Sequence, residues 1–353
     1  VSGIIVAARL QRGMLRQIIR ISKFWGEYAG ELAVGTIDDS LLPRKLSEQA
    51  LPTRPLPFRD ILIASDVPFN AVTGVQRTGY HSPVEIVSEL SWIAALIADE
   101  VIVTPRPLAD RNGLLLCSVP LNGSMRQAVA FEHMSGHEPD PAASLSAWFL
   151  KLGGLTARLH RHSRSWTRTP AFQRKTWDFD AMLGTRPLWG DWRAALGLRN
   201  SDRQLLQRVS DALARRVHAY GQNGQRFGLV HADLRLANLL VDGERLGIID
   251  FDDCGFSWFF YDFAAAVSFM EHEPIVSDLQ NAWLEGYRRV APVSKADEIM
   301  LPVFVMLRRM LLTAWIASHS DTETARRLGT DYTEGTVAMG ERFLGKGPVL
   351  GEI

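Results

Sequence analysis

Residues 229–262 read LVHADLRLANLLVDGERLGIIDFDDCGFSWFFYD, and they concentrate side chains that can do chemistry. Asp233 and Asn238 stand five residues apart, just after a short apolar run, and Asp250 follows twelve positions after Asn238. Residues 238–241 and 245–249 read as two strands joined through Asp242-Gly243, a strong hairpin signal. A hairpin returns the chain, so Asp250 can approach Asn238. That set suits phosphoryl transfer. One carboxylate accepts the proton of an attacking hydroxyl, while a second carboxylate and an amide oxygen hold Mg2+ against the phosphates. Asp233 is the candidate base, and Asn238 and Asp250 are the candidate metal ligands. His231 is placed to orient the loop. Arg235 can neutralise transferred phosphate or pair with a nearby carboxylate.

The run His231-Ala232-Asp233-Leu234-Arg235-Leu236-Ala237-Asn238, followed by Ile249-Asp250-Phe251-Asp252-Asp253, resembles the aminoglycoside phosphotransferase and choline kinase superfamily. The Asp-x-x-x-x-Asn spacing is that of a kinase catalytic loop, and Asp250 stands where such enzymes carry their second metal aspartate. With Tyr261-Asp262-Phe263-Ala264 added, the pattern is most similar to the bacterial group called homoserine kinase type II-like or stress-response-kinase-like. The resemblance covers residues 75–344. It implies an α+β, bilobal protein-kinase-like fold with a small β-containing first lobe and a mostly helical second lobe. It also implies ATP and Mg2+ as cofactors and transfer to a hydroxyl. Asp262 takes a support role, accepting bonds from the catalytic loop, although a helix N-cap explains it as well. Glu132-His133-Met134-Ser135-Gly136 resembles the crossover between lobes, where adenine meets backbone groups. Glu132 and Met134 are therefore cofactor-side candidates, with core packing an equal account of Met134.

The elements that must position these groups are legible in part. Residues 84–99 read as a helix, with Pro83 at its start and apolar residues at three- and four-residue steps. The resemblance places on it, at Glu89, the glutamate that pairs with a cation of the small lobe. Residues 101–103, 114–118 and 127–131 are strand-like, the last two flanking a turn near Asn122-Gly123. Helices are expected over 146–160, 202–220, 280–290, 299–318 and 331–343, and residues 227–230 form the strand that delivers His231. In 299–318 the pair Arg308-Arg309 interrupts the apolar pattern. Residues 254–260 read as an aromatic-rich loop and 261–270 as a helix. Gly153-Gly154 permits close helix packing. The aromatic-rich segment 166–192 reads as an insertion over the acceptor cleft. Its Asp178 and Asp180 are substrate candidates for an amine-bearing acceptor and equally good helix caps.

The first eighty residues depart from the family pattern. Residues 1–21 can form a basic amphipathic helix carrying Arg9, Arg12, Arg16 and Arg20, and four prolines at 43, 52, 55 and 57 then break the chain. Residues 61–63 read as a short strand. Aligned with the family, the small-lobe cation falls on Gly74, which has no side chain, and 70–75 leaves no room for the expected hairpin. Arg77 is the candidate substitute. Two accounts stay open: a degenerate, weakly active member, or a first segment that is not the natural reading of this region. The expected organisation is an atypical extension at 1–58, a small lobe at 59–133 and a helical lobe at 134–353.

Composition narrows the classes. The 353 residues are 46% hydrophobic, and 39 basic residues balance 39 acidic ones, so no global charge draws the chain to nucleic acid or an anionic membrane. No run of about eighteen apolar residues predicts a membrane span. The two cysteines, Cys117 and Cys254, build no disulfide framework and suit a reducing, cytoplasmic setting. Three basic groups at His160, Arg161 and His162 lack the further ligands of a metal site. The reading that follows is an ATP- and Mg2+-dependent phosphotransferase, monomeric or homodimeric, acting on a small-molecule hydroxyl. A non-catalytic kinase-like protein and a protein serine/threonine kinase of the same fold are the alternatives.

Overall fold

The computed structural model describes residues 3–7 and 71–75 as strands, and residues 79–345 apart from 111, 122–123 and 142–143. The chain falls into two compact units. One holds the described residues up to Val87 together with Arg106–His133; the other holds Ser88–Pro105 and Met134 onward.

The first unit is an antiparallel sheet of β1 (Gly3–Ala7), β2 (Ala71–Val75), β3 (Pro107–Leu108), β4 (Cys117–Leu121) and β5 (Ser124–Glu132). The nine-residue β5 is its spine. One edge pairs with β2 (Gly74 opposite Val129), and the other takes β4 and then β3. The strand that 70–75 seemed too short to supply comes from the start of the chain, where Ile4 lies opposite Gly74. Residues 3–7 are thus strand, not the expected helix, consistent with the β-branched run Ile4-Ile5-Val6. The rest of that helix, the strand at 61–63 and Arg77 lie outside the described residues. Helix α1 (Pro83–Ala98) starts in this unit at a capping box, in which Glu85 N donates to Ser82 Oγ at 3.3 Å and Ser82 N donates to Glu85 Oε2 at 2.8 Å.

From Ser88 onward α1 belongs to the second unit. The Trp92 ring meets Phe251 edge-on at 5.5 Å, and its Nε1 donates to His162 Nδ1 at 3.4 Å. Residues 101–103 form no strand, yet Val103 O accepts a bond from Ile248 N at 2.9 Å. The helical body comprises α2 (Leu145–Ser165), the short α3 (Phe179–Met182), α4 (Asn200–Tyr220), α5 (Tyr261–Ala266), α6 (Val276–Arg288), α7 (Lys295–Ser318) and α8 (Glu323–Gly345). Helix α8 bends at Gly329, φ 46°, which a glycine accepts without steric cost. The most apolar eighteen-residue stretch of helix α7 has a mean hydropathy of 1.7 but is 83% buried, as in the core helix of a globular body. Helices α2 and α6 touch backbone to backbone. A Cβ on Gly153 would lie 2.0 Å from Trp283 O, and one on Gly286 would lie 1.9 Å from Leu150 O.

Two ribbons carry the candidate site residues. β6 (Phe227–Val230) pairs with β9 (Gly255–Trp258), and β7 (Leu239–Asp242) pairs with β8 (Arg245–Ile248). β9 falls where the sequence suggests a loop; its Trp258 is buried in the core and its Phe256 half-buried, both as strand partners of β6. Asp242 pairs with Arg245, so the tight loop is Gly243-Glu244, one residue later than expected, with Gly243 at φ 58°. The pairing has a direct consequence. The end of β6 lies beside the start of β9, and the start of β7 beside the end of β8. The connections 231–238 and 249–254 must therefore face each other.

Replacing Gly286 by Ala drives a methyl group into the Leu150 carbonyl. A loss of about 1–3 kcal/mol is expected in urea unfolding, with the folded spectrum retained.

Candidate active site

The loop leaving β6 is strained and held from below. Ala232 has φ 65°, a left-handed conformation unusual for a residue with a Cβ. The fully buried Asp262 carboxylate accepts from Ala232 N at 2.7 Å and from His231 N at 3.3 Å. Its Oδ2 also meets His160 Nε2 at 3.0 Å, and His160 Nδ1 lies 3.0 Å from Tyr287 Oη. The His160 ring thus bridges Asp262 and Tyr287. Burial holds its pKa below the usual imidazole value. His160 is thus a buried support of the loop, a role that the sequence did not suggest.

His231 is buried, with Nδ1 accepting from Asp233 N at 3.3 Å and Nε2 donating to Ile249 O at 3.1 Å. It ties the two facing connections together. Burial lowers its pKa too.

Asp233 is the most constrained carboxylate in the site. Arg308 Nη2 donates to Oδ1 at 2.6 Å, Arg235 Nε donates to Oδ2 at 3.1 Å, and Asn238 Nδ2 donates to Oδ2 at 2.8 Å. Burial would raise its pKa, but the guanidinium groups of Arg235 and Arg308 overcome it and hold Asp233 below the usual carboxylate range. Arg308 also donates to Tyr261 Oη at 3.1 Å, Ser268 Oγ at 2.9 Å and Ala232 O at 3.3 Å. The apparent interruption of the apolar stripe at Arg308-Arg309 is thus a pair of buried anchors. Arg309 holds Glu271 at 3.0 Å and lies 3.4 Å over the Tyr332 ring.

Asn238 and Asp250 are brought together by the ladder, since Ile249 N donates to Asn238 O at 3.0 Å. Asn238 spends its amide NH2 on Asp233, which leaves Oδ1 buried with no hydrogen-bond partner. An orphaned buried amide oxygen beside a carboxylate fits a hard divalent cation. Asp250 sits at φ 64° and is half-buried. Desolvation, then repulsion from Asp252 and Asp233, pushes its pKa up to about 8. A bound cation would relieve that repulsion. No cluster of three or more His, Cys, Asp or Glu able to cage a metal exists among the described residues, so a Mg2+ here would take its remaining ligands from phosphate and water.

The other expected residues divide. Glu89 is buried against Arg174, with Nη1 to Oε2 at 3.5 Å. Burial raises its pKa to about 8 while Arg174 pulls the other way. Met134 lies on β8, where a Cβ on Gly247 would come 2.2 Å from its Cε. His137, just after the crossover segment, bridges to Val241 of β7. Glu132 ends β5 in the first unit, exposed, with Arg106 Nε 3.8 Å away. Asp178 and Asp180 do not join the cluster around Asp233. Asp178 caps α3 through Ala181 N at 2.9 Å. Asp180 takes Thr185 N and Arg186 Nε, each at 2.8 Å, and the bonds from Thr185 and Arg186 lower its pKa to about 2. Cys254 is a buried free thiol whose pKa burial raises. Arg174, Arg308 and His160 are the site residues missing from the sequence reading. Basic groups inside otherwise apolar or aromatic segments were the available signal.

A sheet-bearing unit and a helical unit, with a carboxylate, an amide and an acidic turn on facing hairpin connections, define the bilobal kinase-like fold of phosphotransferases. The sequence model of the phosphotransferase enzyme family matches residues 72–293, well over half of the chain, and the protein belongs to that family. The chain is 44% identical to the solved microcompartment-associated aminopropanol kinase, covering 78% of this chain and 86% of that one with a TM-score of 0.73. It is 25% identical to amicoumacin kinase of Bacillus subtilis (strain 168) over 68% of this chain and 71% of that protein. A solved amicoumacin kinase in complex with AMP-PNP, Ca2+ and Ami shares the fold at 22% identity, with a TM-score of 0.63 over 79% of this chain and 83% of that one.

Arg308→Met leaves Asp233 Oδ1 without its buried counter-charge, and a stability loss of about 3–5 kcal/mol is expected in urea unfolding. A second outcome concerns pH. The unfolded chain protonates His160 below its ordinary value of 6.5, while the folded chain resists protonation. Its contribution is therefore complete above 6.5 and declines in acid. The stability gap between wild type and His160→Gln should shrink when pH is lowered from about 7.5 to about 5.5.

Proposed function

We propose that the chain transfers the γ-phosphoryl group of ATP to the hydroxyl of a small amino alcohol of the aminopropanol type. The observation that carries this reading is the 44% identity, across 78% of the chain, to an aminopropanol kinase. The site supports the reaction class. Asp233 accepts a hydrogen bond from the acceptor hydroxyl. A carboxylate held down by two guanidinium groups is a weak base, so Asp233 aligns the oxygen first and takes the proton late, which suits a loose transition state. The new bond joins the acceptor oxygen to the γ-phosphorus as the bond to the bridging oxygen breaks and ADP leaves. Asn238 Oδ1 and the Asp250 carboxylate would hold Mg2+, which when bound would neutralise charge on the phosphates. Arg235 lies beside Asp233 with some exposure and is the cation available to the transferring group. Asp178 and Asp180 are committed to their own turns, so the acceptor's ammonium is not assigned to them.

The test is turnover with Mg-ATP on 1-amino-2-propanol, ethanolamine and 1,2-propanediol, followed by 31P NMR. Phosphorylation of the amino alcohols is expected, with the diol at least about tenfold poorer in kcat/KM. Asp233→Asn should lower kcat by about 10^2 to 10^4. Equal use of the diol would remove the amine from the reading. Turnover of a serine peptide alone would favour a protein kinase, and no turnover of any acceptor would favour an inactive member.

A further inference from the structure

We infer that Arg174 is a positioning residue for the metal-ligating turn at Asp250 and takes the charge of Glu89 that a cation of the small lobe takes in the family pattern. The inference rests on the reading of Asn238 and Asp250 as the Mg2+ ligands. Arg174 comes from the segment between α2 and α3, which the sequence suggests to be an insertion.

Its side chain is fully buried, and Glu89 beside it is 5% exposed. Nε donates to Cys254 O at 2.7 Å, and Nη2 reaches Phe251 O at 3.4 Å and also Asp252 O. Nη1 faces Glu89 Oε2 at 3.5 Å. One planar fork thus serves three backbone carbonyls of the four residues that follow Asp250, and a carboxylate on α1. The fourth carbonyl, of Asp253, accepts from Trp177 Nε1 at 2.8 Å. The same short segment makes the backbone bonds Phe256 N to Lys175 O at 2.9 Å and Trp177 N to Phe256 O at 2.7 Å. A Cβ on Gly255 would come 2.5 Å from Lys175 O, so the fit leaves no slack.

This clamp has a reason to exist. Asp250 is held at φ 64°, a conformation that a residue with a side chain keeps only when its surroundings impose it. Four carbonyls turned to one side also concentrate negative potential next to Glu89, Asp252 and Asp253. A guanidinium with five fixed donors can answer several of those acceptors together, whereas a lysine offers a single compact charge. The parallel with the other connection is close: Ala232, at φ 65°, is held by Asp262 from below and by Arg308 at its carbonyl. Each strained residue beside a reacting group has its own buried charged anchor.

The test is calorimetric titration of ADP into the full-length protein, with and without Mg2+, for wild type, Arg174→Met, Arg174→Lys and Glu89→Gln. In Arg174→Met, metal-free ADP affinity should stay within about twofold of wild type, while the gain in affinity on adding Mg2+ falls by about tenfold or more. Arg174→Lys should recover part of that gain, and Glu89→Gln, which keeps the three carbonyl bonds, should lose less than Arg174→Met. If Arg174→Met does not fold, Arg174→Lys decides: a Mg2+ response equal to wild type overturns the inference. So does an unchanged Mg2+ response in folded Arg174→Met, or a wild-type ADP affinity that ignores Mg2+. A wild type that binds Mg-ADP but phosphorylates no amino alcohol removes the proposed acceptor and leaves this readout standing, since it involves nucleotide and metal alone.

Discussion

The Asp262 carboxylate, wholly buried, accepts from two consecutive backbone N–H groups beneath the catalytic loop. Those bonds hold Ala232 in a left-handed turn that its methyl group disfavours. The turn in turn aims Asp233 at Arg235, Arg308 and Asn238. Asn238 is then left with its amide NH2 spent and its oxygen free for a cation. Three buried charges, Asp262, Arg308 and Arg174, act on backbone as well as on side-chain partners. Buried charge of this kind is costly to break and contributes shape more than net stability. It also spares the site from reorganising during phosphoryl transfer, where positioning and fixed charge carry most of the rate.

The topology makes that arrangement available. Crossing β6 to β9 and β7 to β8 brings two connections together without any long-range helix contact. Hydrogen bonds from His231 Nε2 to Ile249 O and from Ile249 N to Asn238 O then close the gap between them. Behind them, the glycine contacts of α2 and α6 let two backbones approach within side-chain distance, which brings His160 and Tyr287 under Asp262. Support therefore reaches the reacting carboxylate through a continuous chain of polar contacts inside a largely apolar body.

Much of this was legible in the sequence, and what was not has a physical reason. Asp233, Asn238 and Asp250 were readable because their spacing is local and the hairpin that joins them has a sharp turn signal. The helices with regular apolar stripes were equally plain. Arg308, Arg174 and His160 were not, because each reaches a partner 75 or more residues away, a carboxylate for Arg308 and His160 and a backbone carbonyl for Arg174, and such distant pairing leaves no trace in local pattern. A basic residue in an apolar stripe reads as an interruption until the buried partner is known. The strand β9 was missed for a related reason: aromatic residues in succession suit a loop or a buried strand, and only the pairing with β6 decides. Asp178 and Asp180 show the converse: residue type suited an acceptor contact and a helix cap equally, and both make short-range bonds within their own turns.

The central claim is that Asn238 and Asp250 form a prearranged cation site beside a fixed Asp233. It is tested most directly by a crystal structure of the protein with Mg2+ and a non-hydrolysable ATP analogue. The account predicts Mg2+ on Asn238 Oδ1 and the Asp250 carboxylate, with the bonds of Asp233 to Arg308 and Asn238 kept. A metal bound away from these two residues, or a catalytic loop that must leave Asp262 to reach it, would contradict the account.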